Sequence, residues 1–215
     1  MERRPETTLY YSPGACSLAP HIVLAEIGEP FALERISTAE RANYSPEYRA
    51  INPRARIPAL AIDGFVLTEN PAILAYLGRR FPRVGLYPQG GEGEARCLEW
   101  LAWLSNTVHV AYAQVLRPER FVSETKDYPP VQANGRANIL RLYRDIEERL
   151  AGRVFALGSR YSVVDPFLLV FYRWGNRTGL EMRADYPAWS RLVQSLAERP
   201  AVQQALTTEG ITIAA

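Results

Sequence analysis

Apolar positions change their spacing part-way along this chain. Over the first part, short apolar runs of strand length alternate with helical stripes. Leu9 to Tyr11 is short, aromatic and β-prone, and Ser12-Pro13-Gly14 after it is a turn signal. Ser17 to Ile27 reads as a helix with Ser17 at its N-cap. Pro20 then falls in the first turn, where its missing N–H costs little, and Gly28 closes the helix. Phe31 to Ile36 reads as a second strand, and Pro46 to Ile51 as one or two turns of helix. Ala59 to Ile62 and Phe65 to Thr68 flank Asp63-Gly64, which suits a two-residue type I′ hairpin. A helix follows, with Pro71 near its start and Arg79-Arg80 near its end. This order predicts one parallel pair joined by a right-handed crossover, plus an antiparallel hairpin.

Pro82 to Gly93 is rich in Pro and Gly, and strand signals nearly vanish after it. Glu94 to Leu116, Val131 to Ala151, Val163 to Arg173, Pro187 to Ala197 and Pro200 to Thr208 all read as helices. The expected organisation is therefore an α+β domain over 1–82, a linker over 83–93 and an all-α bundle over 94–215.

Composition narrows the function classes. The chain has 215 residues, 47% of them hydrophobic, and a net charge of +2. Its bases are nearly all arginine, with Lys126 the sole lysine, and acids balance them. No basic run points to nucleic acid, and no apolar stretch is long enough to span a membrane. Met1 to Glu6 lacks a signal peptide's apolar region. The two cysteines, Cys16 and Cys97, read as reduced thiols of a cytoplasmic protein. Neither belongs to a C-x-x-C pair, so redox chemistry at Cys16 would be monothiol. Cys97 lies inside a helical pattern and reads as packing.

Three segments carry candidate chemistry. Cys16 stands where a strand turns into a helix, and the amides and dipole of a helix start favour thiolate, the reactive form. Ile57-Pro58 precedes a strand and is a candidate cis bond, the ordinary alternative being a trans proline opening that strand. A cis bond would leave the backbone of Ile57 open to an added extended peptide. Glu69-Asn70 ends a strand and opens a helix. The Asn70 side chain and the following amides suit a carboxylate, and Glu69 suits an ammonium group, or else the segment is a plain cap. Together these fit a short, charged, thiol-bearing peptide such as glutathione. The long helix has two stripes. Leu101, Leu104, Val108, Tyr112 and Val115 are apolar, while Ala102, Asn106, His109 and Ala113 are small or polar and could face a cleft. His21 reads as structural, satisfied by a backbone carbonyl, and Ser162-x-x-Asp165 as a capping box.

The segments Tyr10 to Ser17, Ala50-Ile51-Asn52-Pro53, Thr68-Glu69, Leu98 to Leu101, Val108-His109, Ser162 to Asp165 and Arg199 to Val202 resemble the glutathione transferases, in particular the bacterial beta class. The resemblance implies a thioredoxin-like N-terminal domain with a mixed four-stranded sheet, then a helical domain. It implies a homodimer, glutathione as co-substrate, no metal and a small apolar electrophile as second substrate. By position, it gives Cys16 the glutathione sulfur and a possible mixed disulfide. It gives Ile57 and Pro58 the tripeptide backbone, Glu69 and Asn70 the γ-glutamyl end, and His109 the cleft beside the thiol. Asn106 and Tyr11 are expected to line the same site, and Trp174 the second-substrate pocket or simply the packing behind it.

The chain also departs from the pattern. Val110 stands where many beta-class members carry Lys, Ala102 where they often carry Asn, and Asn70 replaces a small residue. Tyr10, Tyr11, Ser12 and Ser17 are alternative donors to a glutathione sulfur. The rival reading is a non-catalytic ligand-binding or protein-interaction member of the same fold. A dithiol disulfide reductase is weaker, because the resolving cysteine is missing.

Overall fold

A computed structural model describes residues 7–214, so the reading of Met1 to Glu6 lies outside the described residues. Four strands form one mixed sheet, ordered β2-β1-β3-β4, from β1 (Thr8–Tyr11), β2 (Ala32–Arg35), β3 (Ala59–Ile62) and β4 (Phe65–Thr68). β1 runs parallel to β2, with Leu9 opposite Leu33. It runs antiparallel to β3, with Leu9 opposite Leu60. The crossover between β1 and β2 is α1 (Leu18–Ile27), and Gly28 closes it at φ 78°. At the β3–β4 hairpin, Asp63 (φ 50°) and Gly64 (φ 82°) both take positive φ, as a type I′ turn requires. α2 (Pro46–Ile51) and α3 (Asn70–Arg80) complete this part, and the Ile57-Pro58 peptide is cis.

Ser17 precedes α1 but does not cap it with its side chain. Its hydroxyl instead bonds both the N–H and the C=O of Ser12, and so ties the loop shut.

The rest of the described chain is helical. α4 (Gly91–Trp103) begins inside the expected linker and runs on through a π-helical turn at Leu104–Val108 into α5 (His109–Leu116). Beyond it come α6 (Tyr128–Leu150), α7 (Val164–Arg177), α8 (Met182–Asp185), α9 (Pro187–Ala197) and α10 (Pro200–Glu209). The one-turn α8 had no sequence signal. α7 is the central helix, buried from Val164 to Gly175. The capping box holds its start. Asp165 accepts from the Ser162 N–H at 2.7 Å, and the Ser162 hydroxyl accepts from the Val164 N–H at 3.3 Å. Asp165 also accepts from Ala156 at 2.8 Å, and burial raises its carboxyl to about 6.

All five residues of the apolar stripe on the long helix are buried. The second stripe does not hold. A π turn takes an extra residue, so the faces before and after it rotate out of register. Asn106 points to solvent, while His109 is half-buried. Among the described residues, no helix is long and apolar enough to cross a membrane.

The thiol loop and its interdomain cradle

Between β1 and α1, the chain makes a tight loop from Ser12 to Ser17. Gly14 takes φ +67°, a conformation that favours glycine. Three residues of the helical part hold it. Its N–H donates to a Glu209 carboxylate oxygen at 2.8 Å, and its C=O accepts from Trp174 Nε1 at 3.0 Å and Arg173 at 3.4 Å. Glu209 Oε1 lies 2.9 Å from His21 Nδ1. His21 is therefore structural, as expected, but its partner is a carboxylate from α10 and not a backbone carbonyl.

Cys16 follows this cradle and is 5% exposed. Its Sγ donates to the Ile57 C=O at 3.4 Å. The Ile57 N–H donates to no group among the described residues. Asn70, buried, donates to the Cys16 C=O at 2.9 Å. The strand-to-helix turn at Cys16, the Ile57-Pro58 turn and the start of α3 thus meet at one sulfur, as the sequence segments suggested.

The state of that sulfur differs from the expectation. Burial pushes the Cys16 thiol up to about 12, outweighing its own backbone amide, Arg120 and Asn70, which pull it down, while Glu69 pushes it further up. Cys16 also sits ahead of α1 rather than in its first turn, where the dipole would act most strongly. The resting group is a protonated thiol used as a hydrogen-bond donor.

Other expected residues fall differently. Glu69 is exposed at φ 72°, ψ 121°, at the head of α3 and within electrostatic reach of Cys16. Asn70 gives one amide hydrogen to the Cys16 C=O, and its Oδ1 is buried without a partner among the described residues. Tyr11 is buried, its ring 5.9 Å from that of His21. Ser12 and Ser17 are engaged in the loop and with Thr38, so they are not free donors. Asn106 is exposed and accepts from Thr107, with no hydrogen bond to the loop among the described residues. His109 packs edge-on against Trp174 at 5.2 Å and Phe171 at 6.1 Å. Burial, then the charges of Arg120 and Arg56, hold its ring down to about 4, so it is neutral near pH 7. Trp174 is the wall between His109 and the thiol loop. Among the described residues, no cluster of three or more His, Cys, Asp or Glu could hold a metal.

No local motif marks Glu209, Arg173, Arg56 or Arg120. Each acts here through a contact or a charge from a distant part of the chain.

With this geometry in view, comparison with known proteins decides the family. The glutathione S-transferase N-terminal domain matches residues 5–79, and the glutathione S-transferase C-terminal domain matches residues 112–200. The chain belongs to the glutathione S-transferase family. It is 34% identical to glutathione S-transferase GstA of Escherichia coli O157:H7, over 94% of this chain and 98% of that one. A Sulfitobacter glutathione transferase homologue, solved with bound glutathione, superposes with a TM-score of 0.89 at 29% identity, covering 96% of this chain and 99% of that one. A beta-class glutathione S-transferase of Sphingomonas chungbukensis gives 0.84 at 31% identity, covering 95% and 100%. Within this glutathione S-transferase, the α+β part carries the thiol, and the helical part carries the residues that fix the loop around it.

Proposed function

We propose that this protein conjugates glutathione to small apolar electrophiles in the cytoplasm, with the sulfur of the tripeptide docked beside Cys16. One observation carries the reading: the Cys16 thiol touches the Ile57 carbonyl, next to an N–H left free to pair with an extended peptide. The tripeptide adds onto that edge. Its ammonium meets Glu69 and its γ-glutamyl carboxylate meets the first amides of α3. A protonated Cys16 then donates to the glutathione sulfur, favouring its thiolate as the nucleophile. Neutral His109 and Trp174 form the apolar wall against which the electrophile lies, with fully buried Phe171 packed behind them.

Cys16 retains a second role. Once deprotonated, it attacks a glutathione mixed disulfide, taking the glutathionyl sulfur and releasing the other thiol. A second glutathione resolves the Cys16 adduct and leaves as glutathione disulfide. The raised thiol makes this the slower activity near pH 7.

The 1–82 and 94–215 segments act as the two domains, with 83–93 joining them. A second copy covers the apolar face on β4, α3 and α4, where Phe65, Val66 and Leu98 are each more than 40% exposed and Tyr76, Arg79 and Arg80 flank them.

Turnover of an aryl halide with glutathione, and disulfide exchange, are measured for the wild type, Cys16→Ser and Cys16→Ala. Disulfide exchange should vanish in both variants, while conjugation survives best in Cys16→Ser. Undiminished exchange in Cys16→Ala rejects the role of Cys16. Retention on immobilised glutathione with no turnover favours the non-catalytic reading.

A further inference from the structure

Tyr48 lies in α2 and Asn52 is its C-cap four residues on, so both face one side of that short helix. The Ser45 hydroxyl caps the helix start by accepting from the Tyr48 N–H at 3.2 Å. At the other end, Pro53 disfavours helical backbone for the residue before it, and Asn52 is extended at φ −129° and ψ 97°. Both residues are 1% exposed. Their side chains end on one atom. The Arg56 C=O accepts from the Tyr48 hydroxyl at 2.6 Å and from Asn52 Nδ2 at 2.8 Å. The other end of the Asn52 amide is engaged too, since its Oδ1 accepts from the Arg54 N–H at 3.2 Å. That amide therefore has one orientation that satisfies both ends.

Two donors on one carbonyl oxygen use both of its lone pairs. They also fix more than that oxygen. The Arg56–Ile57 peptide is planar and trans, so its C=O and N–H point in opposite directions. Pinning the Arg56 oxygen on the α2 side turns the Ile57 N–H away from α2. That N–H donates to no group among the described residues. The Ile57 C=O belongs to the next peptide unit and is held separately by the Cys16 thiol at 3.4 Å. Burial raises the Tyr48 hydroxyl to about 12, so it stays a donor across the neutral range. The Asn52-Pro53 segment, which stands out in the sequence by resemblance alone, thus has a physical task in this fold.

We propose that Tyr48 and Asn52 are positioning residues for glutathione, aiming the Ile57 N–H so that a carbonyl of the docked tripeptide meets it already oriented. This deepens the transferase reading and rests on it. Without the two bonds the 56–57 peptide unit is freer to rotate, and ordering it on binding weakens the complex. Neither side chain bonds the Cys16 sulfur among the described residues. The bond from the Ile57 N–H is made to the tripeptide before and during the reaction alike. It therefore strengthens binding and leaves the chemical step unchanged.

The test compares the wild type with Tyr48→Phe, which removes one hydroxyl and keeps the ring, and with Asn52→Ala. Calorimetric titration with S-methylglutathione should show binding about five-fold weaker in Tyr48→Phe, and weakened in the same direction in Asn52→Ala. KM for glutathione should rise by the same factor, while kcat and the KM for an aryl halide stay within about two-fold of the wild type. In heteronuclear NMR spectra, the Ile57 amide proton of the wild type should move downfield as S-methylglutathione saturates the protein, and should move less in Tyr48→Phe. Unchanged affinity in both variants would overturn the proposal and leave the transferase reading standing. A fall in kcat with KM unchanged would assign the two residues to the thiol loop and overturn it as well. An Ile57 resonance that stays put when the wild type binds would do the same, whether or not the variants fold. Failure of the wild type to bind S-methylglutathione would remove the docking reading and the proposal together.

Discussion

Gly14 and Glu209 are joined by a 2.8 Å hydrogen bond across 195 residues of sequence, and the same carboxylate reaches His21. The loop that carries Cys16 is therefore built by two parts of the fold at once. Replacing Glu209 by Ala strands the Gly14 N–H and the His21 ring in a buried place. Unfolding free energy should fall by about 3 kcal/mol, as for other buried pairs broken on one side, read by urea denaturation at pH 7. Loss below about 0.5 kcal/mol would mean that the loop does not need this contact.

Gly14 itself has no room to grow. A Cβ there would sit 2.6 Å from Arg173 Nη1, at a φ of +67°. Gly14→Ala should cost about 2 kcal/mol or more from backbone strain and displacement of Arg173. Because Arg173 and Trp174 share the Gly14 carbonyl, the near-ultraviolet circular dichroism of the tryptophan should change as well.

The Cys16 thiol is raised to about 12 by burial. Its alkylation by iodoacetamide should be slow at pH 7 and rise about ten-fold per pH unit to pH 10, following the thiolate fraction. Cys97, fully buried and also raised to about 12, should react more slowly still. Mass spectrometry of the labelled peptides separates the two. Rapid labelling of Cys16 at neutral pH would restore the thiolate picture suggested by the sequence.

His109 is lowered to about 4. In the unfolded chain its pKa is near the ordinary 6.5, so between pH 6.5 and 4 the unfolded state takes up the proton first. Stability should fall with pH through that window, and His109→Gln should fall less steeply. Asp165, raised to about 6, works in the opposite direction, gaining stability as pH drops from 6 towards its unfolded value. It is common to both proteins, so the difference in slope isolates His109.

Local signals were legible wherever a few neighbouring residues decide the backbone. Asp63-Gly64 specified its hairpin, Ser162 and Asp165 their capping box, and Gly28 its helix end. The meeting of Cys16, Ile57 and Asn70 also followed from strand and helix order. What could not be read depends on contacts closed late in the chain or on one extra residue in a helix. The π turn at Leu104–Val108 leaves no mark in composition, yet it rotates Asn106 away from His109. Burial of Cys16 comes from packing that a helix-start argument does not count, and it reverses the protonation state. The bond from the Asn70 amide to the Cys16 carbonyl likewise links positions 54 apart, which a local helix-cap reading does not see.

The cradle around Gly14 also has a consequence for biogenesis. Its closing carboxylate belongs to α10, which is synthesised well after the whole sheet. Until then the loop lacks its anchor and the sulfur lacks its final surroundings. A nascent chain can thus carry the whole sheet while the loop around Cys16 still lacks its anchor.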